Sequence, residues 1–331
     1  MEKIWITWND STRSRSISSC LGLELSIFDG SRNPLIRHTN AALRTVQLLI
    51  KKKPDVVVCQ YSFLLLIILS IYRSVNKKTL LIADCHNKAL KRSIDLPIVR
   101  SIFSKLKAWS FKNTDYVIIT NSKLHPIASK LNKNLIILKD PLPDLAKDTN
   151  PIQSKKNEHL VTFVSTFASD EPHDLVIDTA KQCSNCIFYI TGSPPNEFDL
   201  SILPENVVLT GFLDQVEYIR LISESDAVLS LSKEKNILQC STYEAISLDT
   251  PCITNDTETN REAFKDAVIY TDLSKESLKN SITHALENKE KLLNNILRFK
   301  EDYKKIYSNE INPLIRVIQE FNHESSGKPD P

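Results

Sequence analysis

The sequence predicts an α/β protein built from two doubly wound parallel-sheet domains facing a cleft. Three observations predict it. Short apolar runs of strand length alternate with segments of helix length, the pattern of βα units. Polar punctuation falls where the strands end. The alternation also occurs twice, on either side of a stretch rich in Pro and polar residues, in a chain of 331 residues, longer than one average domain.

In the first half, strands are expected at 3–8, 55–59, 79–84, 115–120 and 135–138, and helices at 36–52, 62–75, 98–113 and 122–132. The first domain is placed at 1–143 and a linker at 144–158. The second domain is placed at 159–311, with short strands such as Val207-Val208-Leu209 and Ala267-Val268-Ile269-Tyr270. Charged helical sequence runs on from Ser274 to Phe321, and the tail 324–331 is expected to be disordered.

Hydrophobic residues make up 41% of the chain, ample for two cores. Seven cysteines lack the paired spacing of a disulfide framework, and no signal-peptide pattern precedes Ile4-Trp5-Ile6, so a reducing cytoplasm is expected. Cys183-Ser184-Asn185-Cys186 is read as buried thiols, because no second ligand pair completes a metal site. The longest apolar run, Phe63–Leu69, is far below the ~20 residues that span a bilayer.

The net charge of +2 hides an asymmetry: residues 1–150 hold 24 Lys/Arg against 11 Asp/Glu, and the remainder 18 against 29. A basic half calls for an anionic partner: a membrane surface or a phosphorylated lipid acceptor, unless the charge is simply solvated. Nucleic acid is not expected, since no recognition motif is present. In residues 91–112, Lys91, Arg92, Arg100, Lys105, Lys107 and Lys112 interleave with apolar and aromatic residues. That pattern is either an interfacial membrane helix, which makes the protein peripheral on the inner face of the membrane, or a core-packed helix with a basic outer face.

Candidate ligand residues cluster where strands end, since open parallel sheets bind ligands beyond their carboxyl edges. Gly211-Phe212 closes one strand. Gln239-Cys240-Ser241-Thr242 opens a helix whose free N–H groups and dipole favour an anion. Glu244 follows within a turn, in Tyr243-Glu244-Ala245, and Thr250-Pro251-Cys252-Ile253 comes next. This run resembles the nucleotide-sugar-binding half of a glycosyltransferase of the GT-B fold, two Rossmann-like domains, and in particular the retaining group of the large family four, glycosyl transferases group 1.

The resemblance implies roles for these residues. The backbone at Gly211-Phe212 borders the base, unless Gly211 is an ordinary turn glycine. The start of the helix at Gln239, Cys240, Ser241 and Thr242 takes the diphosphate, and Glu244 accepts hydrogen bonds from ribose hydroxyls. A second Glu of the family falls at Asn236, which can bond a sugar hydroxyl but carries no charge; Glu234 lies two residues away. Asp249 stands where the family prefers Gly. The loop Ser165-Thr166-Phe167-Ala168-Ser169 lacks the family's Arg and Lys, leaving Ser165, Thr166 and backbone N–H groups for phosphate. The final helix, from about 312 to 323, packs back on the first domain in relatives.

In the first domain, Asp84-Cys85-His86 ends an apolar strand and resembles the family's strand-end histidine. His86 suits proton transfer or a sugar hydroxyl contact at neutral pH, and Asp84 orients the imidazole or acts as base. Arg13 and Arg15, after the first strand, replace a Gly-rich loop of the relatives and are read as acceptor or phosphate contacts. Ser122 and Lys123 occupy another cleft-facing loop.

The implied function is transfer of a sugar from a nucleotide-diphosphate donor, of UDP or GDP type, to a hydroxyl of a glycan or lipid-linked glycan, with retention, and without a metal or other cofactor. A sugar-nucleotide 2-epimerase or hydrolase, and a non-catalytic subunit of the same fold supporting a partner glycosyltransferase, are the alternatives.

Overall fold

The structure is a computed structural model that describes residues 1–30, 33–86, 90, 97–145 and 158–326. The chain divides into two compact units, Met1–Pro141 with Ile306–Pro331, and Leu142–Lys305.

The first unit carries a six-stranded sheet of β1 (Lys3–Thr7), β2 (Glu24–Ile27), β3 (Val56–Gln60), β4 (Leu80–Cys85), β5 (Tyr116–Ile119) and β6 (Leu135–Ile137). Its order is β2-β1-β3-β4-β5-β6 and every pairing is parallel. The winding reverses between β1 and β3, which makes that point of the carboxyl edge a natural crevice. Burial on both faces explains the unbroken apolar runs of β3 and β4, for Val56, Val57, Val58, Leu81, Ile82 and Ala83 are all buried.

Helices α1 (Thr12–Cys20), α2 (Pro34–Lys52), α3 (Phe63–Val75), α4 (Pro97–Lys112) and α5 (His125–Ala128) flank this sheet. Helix α2 starts where Asn33 accepts hydrogen bonds from the Leu35 and Ile36 amides, with Pro34 in its first turn. It stops at Lys53, whose φ of 46° breaks the helix.

Two elements escape the sequence reading. Helix α1 forms where a loop is expected, because Ser11 caps it by accepting from the Ser14 amide. Its inward face is mostly polar (Arg13, Ser14 and Ser18 beside Ile17), so no apolar period announces it. Strand β2 is a four-residue edge strand with no fully buried residue. The helix expected over 122–132 shrinks to a 3₁₀ turn at Ser122–Leu124 and the single turn of α5.

The second unit repeats the plan with β7 (His159–Phe163), β8 (Cys186–Thr191), β9 (Val207–Gly211), β10 (Ala227–Ser230), β11 (Cys252–Asn255) and β12 (Ile269–Thr271). The order is β12-β11-β10-β7-β8-β9, again all parallel, with the reversal between β7 and β10. Its helices are α6 (His173–Ala180), α7 (Gln215–Glu224), α8 (Cys240–Ser247), α9 (Glu258–Phe264) and α10 (Lys275–Glu287). A capping box between Asp214 and Glu217 opens α7. The last helix, α11 (Lys289–Ser326), begins in the second unit and ends in the first, with Pro313 inside it. There Ile311, Leu314 and Ile318 are buried, and Glu310 pairs with Lys139.

All seven cysteines are free thiols, and Cys183 and Cys186 are buried. Among the described residues no helix is long and apolar enough to cross a membrane.

Candidate functional site

The reversal between β7 and β10 brings two loops together at the carboxyl edge of the second sheet. They are tied through Asp170, whose carboxylate accepts from Ser232 Oγ (2.8 Å) and whose carbonyl accepts from the Lys233 amide (2.7 Å). The β10 loop leads into α8. Ser230 Oγ, at the end of β10, lies 2.7 Å from Ser241 Oγ and accepts from Thr242 Oγ1 at 2.8 Å. Gln239 is the N-cap of α8, and its side chain donates to the Leu231 carbonyl at 3.2 Å rather than capping the helix.

Glu244 lies one turn inside α8 and is only 7% exposed. Its Oε2 accepts a 2.6 Å hydrogen bond from the Tyr218 hydroxyl, reaching across from α7. Burial and the neighbouring carboxylate charge raise the Tyr218 pKa well above the usual phenol range, so Tyr218 stays a neutral donor. No sequence signal pairs these residues, which sit on different helices.

Gly211 ends β9 with φ of 70°, and the space where a Cβ would stand is open. The left-handed backbone by itself accounts for glycine there. Phe212 beside it is 75% exposed. Glu234 and Asn236 are partly exposed in the β10 loop. The Asn236 Oδ1 lies 3.5 Å from the Thr259 hydroxyl, and Ser232 Oγ accepts from the Glu234 amide.

The β7 loop departs from expectation. The Glu171 carboxylate takes hydrogen bonds from the amides of Thr166 (3.0 Å) and Ala168 (2.9 Å) and from the hydroxyls of Ser165 (2.9 Å) and Thr166 (3.2 Å). The Ser165 and Thr166 groups expected to hold a phosphate are therefore committed to an internal anion. His173 braces the same loop: its Nε2 lies 2.7 Å from Ser165 Oγ, and its ring stacks on Phe167 at 4.4 Å. Burial pushes the His173 pKa down, against a smaller upward pull from Glu171 and Asp174. Gly192, at the end of β8, packs so closely that a Cβ would stand 2.6 Å from the Ser165 carbonyl oxygen.

The first unit corrects three further expectations. Arg13 is buried in α1 and reaches no solvent. Its Nε and Nη2 donate to both oxygens of Asp84 (2.8 and 2.7 Å), Nη1 donates to Asp140, and Nη2 also donates to the Leu138 carbonyl at 3.1 Å. A guanidinium so enclosed has no donor to offer a phosphate. Asp84, with no exposed surface, is likewise committed and is not available as a base. Burial by itself would raise its pKa, but the Arg13 charge and hydrogen bonds outweigh that and hold it below the usual carboxylate range. Nor does Asp84 orient the imidazole, for His86 Nε2 stands 3.9 Å away, beyond hydrogen-bonding reach.

His86 itself follows β4 with a side chain 36% exposed. Arg15 is exposed and paired with Asp10. Ser122 is exposed and Lys123 partly so, in a turn capped by the Asn121 side chain. The side chains of Lys91 and Arg92 lie outside the described residues. Among the described residues no three His, Cys, Asp or Glu side chains converge as a metal site.

Residues 146–301 match the family Glycosyl transferases group 1. The solved structures supply the fold. Anabaena HepE in complex with UDP superposes with a TM-score of 0.67 at 10% identity, over 97% of this chain and 100% of that one. WaaG, a glycosyltransferase involved in lipopolysaccharide biosynthesis, gives 0.63 at 14%, over 95% and 99%. Sucrose-phosphate synthase from Thermosynechococcus elongatus gives 0.63 at 11%, over 93% and 100%. This is the GT-B fold of glycosyltransferases. No curated protein matches the sequence. Within the GT-B fold, the family match covers the unit that holds Glu244, Tyr218 and the start of α8.

Proposed function

We propose that the protein is a retaining glycosyltransferase. Its second unit binds a nucleotide-diphosphate-sugar, of UDP or GDP type, and the sugar passes to a hydroxyl of a glycan or lipid-linked glycan without a metal cofactor. The observation that carries the reading is Glu244. It is a nearly buried carboxylate at the carboxyl edge of the sheet, fixed by a neutral phenol and adjacent to a helix start. A carboxylate accepts several hydrogen bonds, which suits the paired hydroxyls of a ribose. The start of α8 at Cys240 and Ser241 favours the diphosphate, and exposed Phe212 offers a face to the base. On the first unit, His86 is the residue proposed to take the acceptor proton, or to contact the sugar, at neutral pH.

Glu171 favours a second reading, a GT-B subunit that supports a partner without transferring sugar. Its carboxylate occupies the donors of the β7 loop, which removes one cradle for phosphate. A thermal-shift titration with UDP, GDP, ADP and CMP and their sugar conjugates separates the two. On the glycosyltransferase reading one nucleotide selectively raises the melting temperature, because a ligand of the folded state stabilises it by mass action. Glu244→Gln loses most of that shift while melting near the wild type. No shift with any nucleotide at millimolar concentration sinks the donor site and favours the supporting subunit.

A further inference from the structure

Helices α2, α3 and α4 lie side by side on one face of the first sheet. Each turns a row of large apolar side chains away from that sheet. On α2 the row is Leu35, Leu43, Val46 and Ile50, with Ile50 66% exposed. These positions fall within one stripe at 100° per residue, turned about 120° from the buried Ala41, Thr45 and Leu49. On α3 the exposed row is Leu64, Ile71 and Val75, at spacings of a single helix face. On α4 it is Ile102, Leu106 and Trp109, whereas Phe103 and Phe111 of the same helix are buried. Scattered exposed apolar residues are ordinary, but three adjacent helices with coincident rows are not.

The charge on these helices is one-sided. Together they contain nine Lys or Arg and no Asp or Glu. Lys52, Arg73 and Lys107 are tied to protein groups. Among the described residues, Arg37, Arg44, Lys51 and Lys105 have no carboxylate partner. Beside the apolar row of α2 is a cavity of about 430 Å³ that Arg37, Asn40, Arg44 and Gln47 line together with Phe28 and one carboxylate, Asp29, so the two arginines outnumber the acid. The Arg44 guanidinium lies over the Phe28 ring, 4.8 Å from its centre.

We infer that the outer face of α2, α3 and α4 docks on an anionic lipid bilayer, with the apolar rows at the acyl boundary and the Arg37–Arg44 cavity on a lipid headgroup phosphate. Apolar rows flanked by unpaired cations match an interface of buried acyl chains and negative headgroups. A second copy seated on the same face would set like charges against like, which disfavours a symmetric dimer. The surface lies wholly on the first unit and stands independently of the donor-site reading.

Trp109 supplies the test. The other two tryptophans, Trp5 and Trp8, are buried, so a change of emission on binding reports Trp109. The full chain is mixed with vesicles of phosphatidylcholine alone, or with about one third phosphatidylglycerol. Binding is read by sedimentation and by tryptophan emission. The expected result is binding to the anionic vesicles alone, a blue shift absent from Trp109→Phe, and loss of binding as salt rises. Leu43→Glu/Ile50→Glu weakens binding by about tenfold or more, and Arg37→Gln/Arg44→Gln by roughly 25-fold, at about fivefold per charge. Ile71→Glu on α3 serves as an independent variant should the α2 pair fail to fold. The inference is overturned by no binding to anionic vesicles or by binding that the folded variants leave unchanged. It is equally overturned by a wild-type dimer that Leu43→Glu/Ile50→Glu converts to a monomer without any vesicle binding.

Discussion

The carboxyl edges of the two sheets handle charge in opposite ways. In the first unit, Arg13, Asp84 and Asp140 form a closed, buried cluster in which each charge faces protein. In the second, the Glu244 carboxylate is held by a neutral phenol. A closed cluster of opposite charges holds strand ends and helix together and leaves nothing for a ligand. A carboxylate positioned by a neutral hydroxyl has two oxygens able to accept several hydrogen bonds. The carboxyl edge of one sheet thus serves as scaffold, and that of the other carries the candidate site.

The largest effect that tests this contrast is on stability. Asp84→Ala leaves Asp140 to balance the Arg13 charge but strips the bidentate partner from its buried Nε and Nη2, and is expected to cost about 3–5 kcal/mol in urea denaturation. Glu244→Gln is expected to cost under about 1 kcal/mol while removing nucleotide binding. Comparable losses of stability in the two variants would erase the distinction between scaffold and site.

Gly192→Ala comes next. Its φ is 81° and its Cβ would collide with the Ser165 carbonyl, so about 1–3 kcal/mol is expected, with the loop around Glu171 displaced. Melting curves and nucleotide titration read both effects, and a neutral result would show that the β7 loop gives way freely.

A pH series sharpens the comparison further. The His173 pKa is depressed in the fold, so protons favour the unfolded chain. The stability this residue contributes is complete above its unfolded value of about 6.5 and declines as pH falls below it. The Asp84 pKa is also depressed, and its contribution persists above about 3.9, to be lost as pH falls through the folded value. Mild acid therefore weakens the second unit first. Melting temperatures of His173→Gln should lose the decline below about 6.5 and keep the one below about 3.9; an unchanged upper limb would assign it to another group.

The smallest effect is expected from Asp249→Gly. Asp249 has φ of 60°, which glycine adopts without strain, but it also pairs with Lys300 at 2.6 Å. Relief of strain and loss of the pair oppose each other, for a net change within about 1 kcal/mol by calorimetry. A larger loss would make the Lys300 contact a true anchor of α11.

Much of the fold was legible because strands buried on both faces read as unbroken apolar runs, as in β3 and β4. Helix α1 was not, because its inward face is polar and Arg13 becomes a core residue only when Asp84 and Asp140 arrive from far along the chain. The same holds at the site. Glu244 was legible from the run Tyr243-Glu244-Ala245 at a helix start, but its partner Tyr218 was not. Ser165 and Thr166 were found as a polar strand-end loop, yet nothing local reveals that Glu171 turns back into it. On α4, the interleaved basic and aromatic residues were visible. Which of the aromatics face outward was decided by packing: Phe103 and Phe111 turn in and Trp109 turns out.

The sequence by itself determined the two parallel-sheet units, the strand ends that carry polar residues and the basic excess of the first half. These follow from periodicity, punctuation and composition, which are local or additive properties of the chain. Only the tertiary structure decided which charges are spent on one another and which apolar faces remain outside. A hydrogen-bond partner 26 or 71 residues away, as for Glu244 and for Asp84, is chosen by where the sheet order brings the strands, and no local pattern encodes it.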